Sequence, residues 1–176
     1  ITVSANPDAA SYQVGDVVTI DLTISGLGDG AAPSIGVFDI DLLFDPAVVS
    51  FDSISFGDPV LGDQLDLWGL GSMTDYSENS NSGGSYINVF ELSYDDPADL
   101  IAMQADEFVL ATLTFTASDL GNGGVGLFVN DLSDAEGINR LAANEVAGSF
   151  KVVPVPAALP LLASGLMLVI SRRRKK

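Results

Sequence analysis

The chain has 176 residues, no cysteine, no histidine and a formal net charge of −17 at pH 7. The lack of imidazole and thiol groups excludes Ser-His and Cys-His catalysis, and the lack of cysteine excludes a disulfide framework. Ahead of residue 172, two basic residues, Arg140 and Lys151, stand against all 24 acidic ones, which leaves −22. A body this acidic repels nucleic acid, so we expect no nucleic-acid partner.

Alternation of apolar and polar residues predicts strands in the first half of the chain. In residues 17–25, Val18, Ile20, Leu22 and Ile24 share one face and polar residues occupy the other, as in a half-buried strand. Further strands are predicted over 1–4, 36–44, 49–56 and 61–70. Turns are predicted at 13–16, 45–48 and 57–59, and a glycine-rich loop at 26–34.

The second half follows the same pattern, with one helix. Residues 71–85 are small and polar without an apolar period, which predicts a surface loop. Asp96 followed by Pro97 predicts the N-terminal cap of a short helix that ends near Met103. Strands are predicted over 86–94, 109–117, 125–130 and 148–153.

About eight or nine short strands without a long amphipathic helix predict an all-β domain over residues 1–153, an antiparallel β-sandwich of two facing sheets. Three stretches resemble a cohesin-type domain: YQVGDV at 12–17, GVFDID at 36–41 with FDP at 44–46, and LATLTF at 110–115 with Gly121 after it. The resemblance implies a nine-stranded jelly-roll sandwich related to carbohydrate-binding modules. Cohesins proper dock dockerin modules, so it also implies a dockerin-like protein or a polysaccharide as partner.

Two sets of side chains are candidates for binding. Asp39 and Asp41 are predicted side by side on the outer face of one strand, as an acidic docking or cation patch or as ordinary solvent-facing residues. An aromatic platform for stacking on sugar could form from four residues, which could equally pack in the core or at an edge. These are Trp68, Tyr76, Tyr86 and Tyr94.

Calcium is the one cofactor that the carboxylates bring into consideration, since Ca²⁺ takes six to eight oxygen ligands. The candidate ligands are Asp95, Asp96 and Asp99 in one loop, and Asp131, Asp134 and Glu136 in another. Neither set has EF-hand spacing, and Asp96 is equally explained as a helix cap. Paired carboxylates can hydrolyse glycosides, but we expect a protein without catalytic activity.

The last residues, 154–176, are predicted to be a separate segment. A proline motif, Val153, Pro154, Val155 and Pro156, precedes an apolar run at 157–170 and a basic cluster. The strongly apolar residues include Leu159, Leu161, Leu162, Leu166, Leu168, Val169 and Ile170, and the cluster is Arg172, Arg173, Arg174, Lys175 and Lys176. This order predicts a membrane helix whose basic end stays cytoplasmic; the alternative is a buried helix of a soluble domain.

The length of the apolar run is short for a membrane span. Its 14 residues reach about 21 Å as a helix, against a hydrocarbon core of about 30 Å. Snorkelling of the arginines and local thinning of the bilayer make up part of the difference.

The tail resembles the PEP-CTERM sorting signal of Gram-negative bacteria that produce exopolysaccharide. In that family a membrane-embedded exosortase recognises the signal and cleaves near a Pro-Glu-Pro motif. Val155 stands where that motif has glutamate, so the tail resembles the Val-Pro-x-Pro variant. The resemblance implies an exported protein, first anchored in the inner membrane and then placed at the cell surface or outside the cell. Because the chain begins at Ile1, we expect that an export signal was removed or omitted.

These observations predict an exported binding or structural module that is sorted through its tail. The alternative is a carbohydrate-binding module of the exopolysaccharide matrix.

Overall fold

The computed structural model describes residues 1–81 and 84–154, which form two facing β-sheets and one short helix. The strands are β1 (Thr2–Pro7), β2 (Ser11–Gln13), β3 (Val17–Ser25), β4 (Ile35–Phe44), β5 (Val49–Phe56), β6 (Met73–Asn81), β7 (Gly84–Leu92), β8 (Glu107–Ala117), β9 (Gly121–Asp134), β10 (Asn144–Val146) and β11 (Gly148–Val153). The helix is α1 (Pro97–Met103). Asp96 caps it, accepting the Ala98 N–H at 2.9 Å, as the sequence predicts.

The sandwich prediction is confirmed. The first sheet has the order β10-β1-β3-β8-β5 and the second β2-β11-β9-β4-β7-β6. The strands pair antiparallel except at two edges, where β10 joins β1 and β2 joins β11 in parallel. Together with β6, these two strands of three residues raise the number to eleven among the described residues, above the eight or nine predicted. A strand of three residues shows no alternation in its sequence.

The core lies between the two sheets and is built from the alternating apolar residues. Ile20 and Leu22 of β3 are fully buried, as are Ile40 and Leu42 of β4. Phe115 of β8 packs against two aromatic rings with centroids 5.2 and 5.6 Å away, those of Phe44 and Phe51. Each fully buried side chain of this size stabilises the fold by about 1.5 to 3 kcal/mol.

The prediction of a loop over residues 71–85 is wrong. Most of this segment is β6, which pairs with β7 along its whole length. As the edge strand of its sheet, β6 leaves residues 73–80 exposed on both faces. No apolar alternation is therefore needed to form it, and the sequence shows none.

The prediction of a strand over residues 61–70 is also wrong. Residues 57–72, called here the 57–72 loop, consist of turns and bends with one isolated bridge between Asp58 and Gly62. Carboxylates form the turns: Asp58 accepts the Val60 and Leu61 N–H groups, and Asp66 accepts that of Leu70. Such local bonds compete with strand pairing.

The predicted tail falls almost wholly outside the described residues. Strand β11 ends at Val153, and Pro154 is the last residue described. The rest of the proline motif, the apolar run with its predicted helix and the basic cluster lie beyond it, so the division of the chain at 153/154 stays a prediction. Of the helices within residues 1–81 and 84–154, none is long and apolar enough to span a bilayer.

Candidate functional site on the outer face of the six-stranded sheet

The outer face of the six-stranded sheet collects the residues that alternate with its buried positions. Phe38, Ile40 and Leu42 point into the core, which directs their neighbours on β4 outward. Four neighbouring strands, β9, β4, β7 and β6, supply this face. Their outward residues are Val37, Asp39, Asp41 and Leu43 of β4; Met73, Asp75, Ser77 and Asn79 of β6; Tyr86, Asn88, Phe90 and Leu92 of β7; and Phe128, Asn130 and Asp131 of β9. This set is called the outer face below.

An acidic pair stands at the centre of the outer face. The Asn88 side-chain amide donates to Oδ1 of both Asp39 and Asp41, at 2.6 and 2.8 Å. The two carboxylates therefore lie side by side, as the sequence predicts. A bulge in the pairing of β4 with β9 brings Asn130 into reach, and its amide donates to Asp39 Oδ1 at 3.2 Å. Amides orient the carboxylates without neutralising their charge.

One cation borders this pair. Arg140 Nε lies 3.2 Å from Asp131 Oδ1, in an exposed pair that is the single ion pair within residues 1–81 and 84–154. Ser133 Oγ donates to the same oxygen at 2.9 Å. A pair this exposed contributes about 0 to 1 kcal/mol. Asp39 and Asp41 thus keep two charges that no described cation balances.

Apolar side chains flank the acidic pair on both sides. Phe128, directly across from Asp41 on β9, is 57% exposed. On β7, Phe90 stands across from Asp39 and Tyr86 across from Leu43, both half-buried. Aromatic residues around a few oriented polar groups are the usual composition of a protein-binding surface.

The outer surface of the other sheet differs in kind. It carries hydroxyl and carboxylate side chains, with Thr112, Thr114 and Thr116 in a row on β8. Several of them pair with one another: Thr112 donates to Asp21 and Thr116 to Asp52, each at 2.7 Å. This surface has the composition of an ordinary solvated sheet, so the outer face of the six-stranded sheet is the stronger candidate.

The first set of calcium candidates is engaged in separate hydrogen bonds. Asp95 Oδ2 accepts the Leu67 N–H at 2.7 Å, and Asp99 Oδ2 accepts the Trp68 indole N–H at 3.1 Å. Asp96 is the helix cap, so the three carboxylates serve three different donors.

The second set is similarly divided. Asp131 faces Arg140, and Glu136 is exposed. Asp134 accepts from the Asn139 side chain and from the Ile138 and Asn139 N–H groups, and these bonds lower its pKa. Within the described ranges no three His, Cys, Asp or Glu side chains converge in a way that would hold a metal ion. Both alternatives for the cofactor, none and calcium, stay predictions.

The four rings considered for a sugar platform do not share one face. Tyr76 pairs with the buried Val89 and Tyr86 with the outward Leu43, which places the two tyrosines on opposite sides of the sheet. Trp68 lies in the 57–72 loop and is 55% exposed. Tyr76 instead packs against Phe51 at a centroid distance of 5.9 Å.

Sequence reasoning missed Asn88 and Phe128. Phe128 had a signal, because it is an aromatic residue out of phase with Leu127 and Val129 in its strand. Asn88 and Asp41 are 47 residues apart in the chain, and they lie opposite each other because of the register between β4 and β7. No pattern in the sequence indicates that register.

Comparisons with known proteins identify the fold. No protein family model and no curated protein sequence matches the chain. Among solved structures, the non-cellulosomal cohesin of the hyperthermophilic archaeon Archaeoglobus fulgidus has 17% identity and a TM-score of 0.61, over 90% of this chain and 96% of that chain. A type I cohesin from Clostridium thermocellum, solved in complex with a dockerin, has 15% identity and a TM-score of 0.62, over 87% and 100%.

A type II cohesin domain from the cellulosome of Acetivibrio cellulolyticus is similar over 86% of this chain and 94% of that chain, with 13% identity and a TM-score of 0.61. At such identities the similarity establishes the fold alone. The described residues of this chain therefore form a cohesin-like β-sandwich.

Proposed function

We propose that this chain is a non-enzymatic binding module that docks another protein through the outer face. The observation that carries the proposal is the Asp39 and Asp41 pair, bridged by Asn88 and bordered by the largely exposed ring of Phe128. Oriented polar groups beside exposed aromatic rings supply both the specificity and the apolar area that docking requires. The cohesin-like fold supports the proposal, since one of the similar structures is a cohesin bound to a dockerin.

The charge of the outer face defines the partner. Asp39 and Asp41 receive hydrogen bonds from amides and have no cation of their own within the described residues. A lysine, an arginine or a group of hydroxyl donors on the partner would complete them. The −22 charge ahead of residue 172 would also speed the approach of a basic surface. The partner is therefore a dockerin-like protein that presents a cation between apolar side chains.

A crosslinking pulldown tests this proposal. The full chain serves as bait for proteins of the native cell surface, beside the variants Phe128→Ser and Asp39→Asn/Asp41→Asn. We expect one dominant partner, lost with both variants. Val17→Ser and Asp52→Asn are the matched controls, since Val17 is 59% exposed and both residues lie on the other sheet. Equal capture by all variants, with thermal unfolding unchanged, would reject docking at this face.

For the tail we propose the route that its sequence implies: export, anchorage in the inner membrane, and release by an exosortase-like enzyme to the surface or the matrix. The order of proline motif, apolar run and basic cluster supports it, and β11 ends at Val153, so cleavage after that residue would leave the sandwich whole. Intact-mass measurement of the surface form tests it. A mature chain that still carries Arg172 to Lys176 would contradict cleavage at the motif.

Carbohydrate binding is the second candidate, and a cleft between β5 and β6 favours it. The cavity has a volume of about 350 Å³, near the lower end of the range of roughly 300 to 1,000 Å³ for small-molecule sites. Phe44 and Phe51 contribute rings, and Glu78, which pairs with the buried Ile87 and so faces the inner side of β6, contributes a hydrogen-bonding group. A glycan array tests this candidate: Glu78→Ala should weaken binding and Trp68→Ala should not. Binding that depends on Trp68 instead would reject the cleft.

A further inference from the structure

Glu91 is a carboxyl group buried in the core. It lies on β7 between the inward residues Phe38 of β4 and Thr74 of β6, and it is 0% exposed. An ionised carboxylate at such a position loses its hydration and needs a cation or a set of hydrogen-bond donors in return. The surroundings of Glu91 supply neither in full.

The neighbours of Glu91 leave one of its oxygens without a partner. Ser72 Oγ donates to Oε1 at 2.6 Å, while Oε2 has no hydrogen-bond donor among the described residues. The charged groups that face Glu91 are two further carboxylates of the 57–72 loop, Asp63 and Asp66, and Asp63 lies within hydrogen-bonding reach. A proton on Oε2 resolves this arrangement, because a protonated Oε2 becomes a donor to Asp63.

The electrostatics of the site favour that proton. Burial raises the pKa of Glu91 to about 8; the Ser72 hydrogen bond acts against this, and the charges of Asp63 and Asp66 act with it. Both oxygens of Asp66 accept backbone N–H groups of Leu70 and Gly71, whereas Asp63 uses only Oδ1, for the Leu65 N–H, so the second oxygen of Asp63 is the acceptor that remains for the proton.

We propose that Glu91 and Asp63 share one proton, and that this proton is a latch that holds the 57–72 loop against the core. Gln64 and Leu65 are the buried residues of the loop, and Gln64 is hydrogen-bonded to Gln104 and Ala105. Other apolar side chains of the loop, such as Val60 and Leu70, are exposed. Loss of the proton places two adjacent carboxylates with like charges at the base of the loop, and the loop is released.

Release of the 57–72 loop would also affect the outer face, because the loop leads directly into β6. Ser72 is the residue before β6, and Met73, the first residue of β6, belongs to the outer face. The latch thus makes the β6 edge of the outer face sensitive to alkaline pH. This inference goes beyond the docking proposal and does not depend on it.

A direct titration tests the shared proton. Glu91 is one of five glutamates in the chain, so ¹³C labelling of glutamate carboxyl groups in the full chain gives a simple spectrum. We expect the Glu91 signal, assigned by its loss in Glu91→Gln, to titrate near pH 8, and Asp63→Asn to lower that midpoint. A midpoint in the ordinary glutamate range, about pH 4 to 5, would overturn the proposal. If Glu91→Gln does not fold, the unsubstituted chain still decides: one of the five glutamate signals should titrate near pH 8, and five midpoints in the ordinary range would overturn the proposal.

Amide hydrogen exchange tests the latch itself. Between about pH 6 and pH 9, protection of the 57–72 loop should fall about tenfold or more in the unsubstituted chain. It should stay nearly constant in Glu91→Gln, whose side-chain amide donates to Asp63 without titrating. Glu78→Gln, an exposed position on β6, is the matched control and should behave as the unsubstituted chain. The same pH dependence in Glu91→Gln would overturn the latch.

Addition of calcium tests whether these carboxyl groups share a proton or bind a metal ion. If calcium restored protection at pH 9 in the unsubstituted chain but not in Glu91→Gln, the carboxyl groups would form a cation site, and the proton latch would be rejected. We expect calcium and EDTA to give the same protection of the loop.

Discussion

The side chain of Gln104 pairs with the backbone of Ile35 as a neighbouring strand would. The Ile35 N–H donates to Gln104 Oε1 at 2.7 Å, and Gln104 Nε2 donates back to the Ile35 carbonyl at 3.0 Å. The same Nε2 donates to the carbonyl of Gln64 at 3.0 Å. Gln104 is also the C-terminal cap of α1, so one buried amide joins the helix, the start of β4 and the 57–72 loop.

Replacement of Gln104 by leucine should therefore be strongly destabilising. Gln104→Leu keeps the approximate volume but leaves three backbone groups without partners, at about 1 to 3 kcal/mol for each buried group. We expect a loss of about 3 kcal/mol or more in the free energy of unfolding, measured by urea denaturation. Gln13→Leu, on the short edge strand β2, is the matched control and should change stability by less than about 1 kcal/mol. Equal effects would show that the amide pairing is dispensable.

Two adjacent glycines of β9 should respond in opposite ways to alanine. A Cβ at Gly123 would lie 2.2 Å from the ring of Phe150, a core residue that packs edge-on against Tyr12, whereas a Cβ at Gly124 would meet nothing within 4 Å. Gly123→Ala should cost about 1 to 3 kcal/mol by overpacking. Gly124→Ala should be neutral or slightly stabilising. Thermal unfolding of both variants measures the difference, and similar melting temperatures would contradict the close packing of Phe150.

The sequence predicts the strands that have one buried face and not those that have none. In β3, β4 and β8 every second residue packs in the core, so the burial leaves its period in the sequence. Strand β6 has no buried face, and its place at the sheet edge depends on pairing with β7, which leaves no such period. The leucines of the 57–72 loop have the spacing of a strand, but hydrogen bonds from backbone N–H groups to Asp58 and Asp66 form turns there instead.

The candidate site was predictable in part for the same reason. Alternation places Asp39 and Asp41 outward together, and the structure confirms it. The amides that hold them and the ring that borders them come from β7 and β9, and the register of those strands is set by the whole core. The burial of Glu91 could not be predicted from the sequence either, since a glutamate within a strand usually indicates a solvent-facing position.

Removal of calcium should have little effect on the stability of this protein. The six candidate carboxylates do not converge within the described residues, and most already accept hydrogen bonds from the chain. We expect melting temperatures in calcium and in EDTA to agree within about 1 °C. A site filled to 100 times its dissociation constant would add about 2.7 kcal/mol, or several degrees. A shift of that size would establish a calcium site.

At low pH, Asp58 should become a source of instability. Burial works against its ionisation, but the N–H groups of Leu61, Val109 and Val60 donate to its carboxylate and leave the pKa below the ordinary value. A lowered pKa stabilises the fold above the unfolded value, near 3.9, and this contribution is lost as pH falls through the folded value. Asp58→Asn should therefore be destabilising at pH 7, and the difference should shrink near pH 2. A constant difference would contradict the role of the charge.

Glu91 acts in the opposite direction, so the protein should be most stable in mild acid. Its pKa is raised from 4.5 to about 8, and the folded state therefore binds more protons than the unfolded chain between these values. Stability from this proton is complete below about pH 4.5 and declines by up to roughly 1.4 kcal/mol per pH unit as pH rises towards 8. Together with Asp58, this places the maximum near pH 4 to 5, where the net negative charge is also reduced. Urea denaturation from pH 3 to 9 measures the profile. In Glu91→Gln the decline above pH 5 should be largely lost, whereas a maximum near pH 7 in the unsubstituted chain would contradict a protonated Glu91.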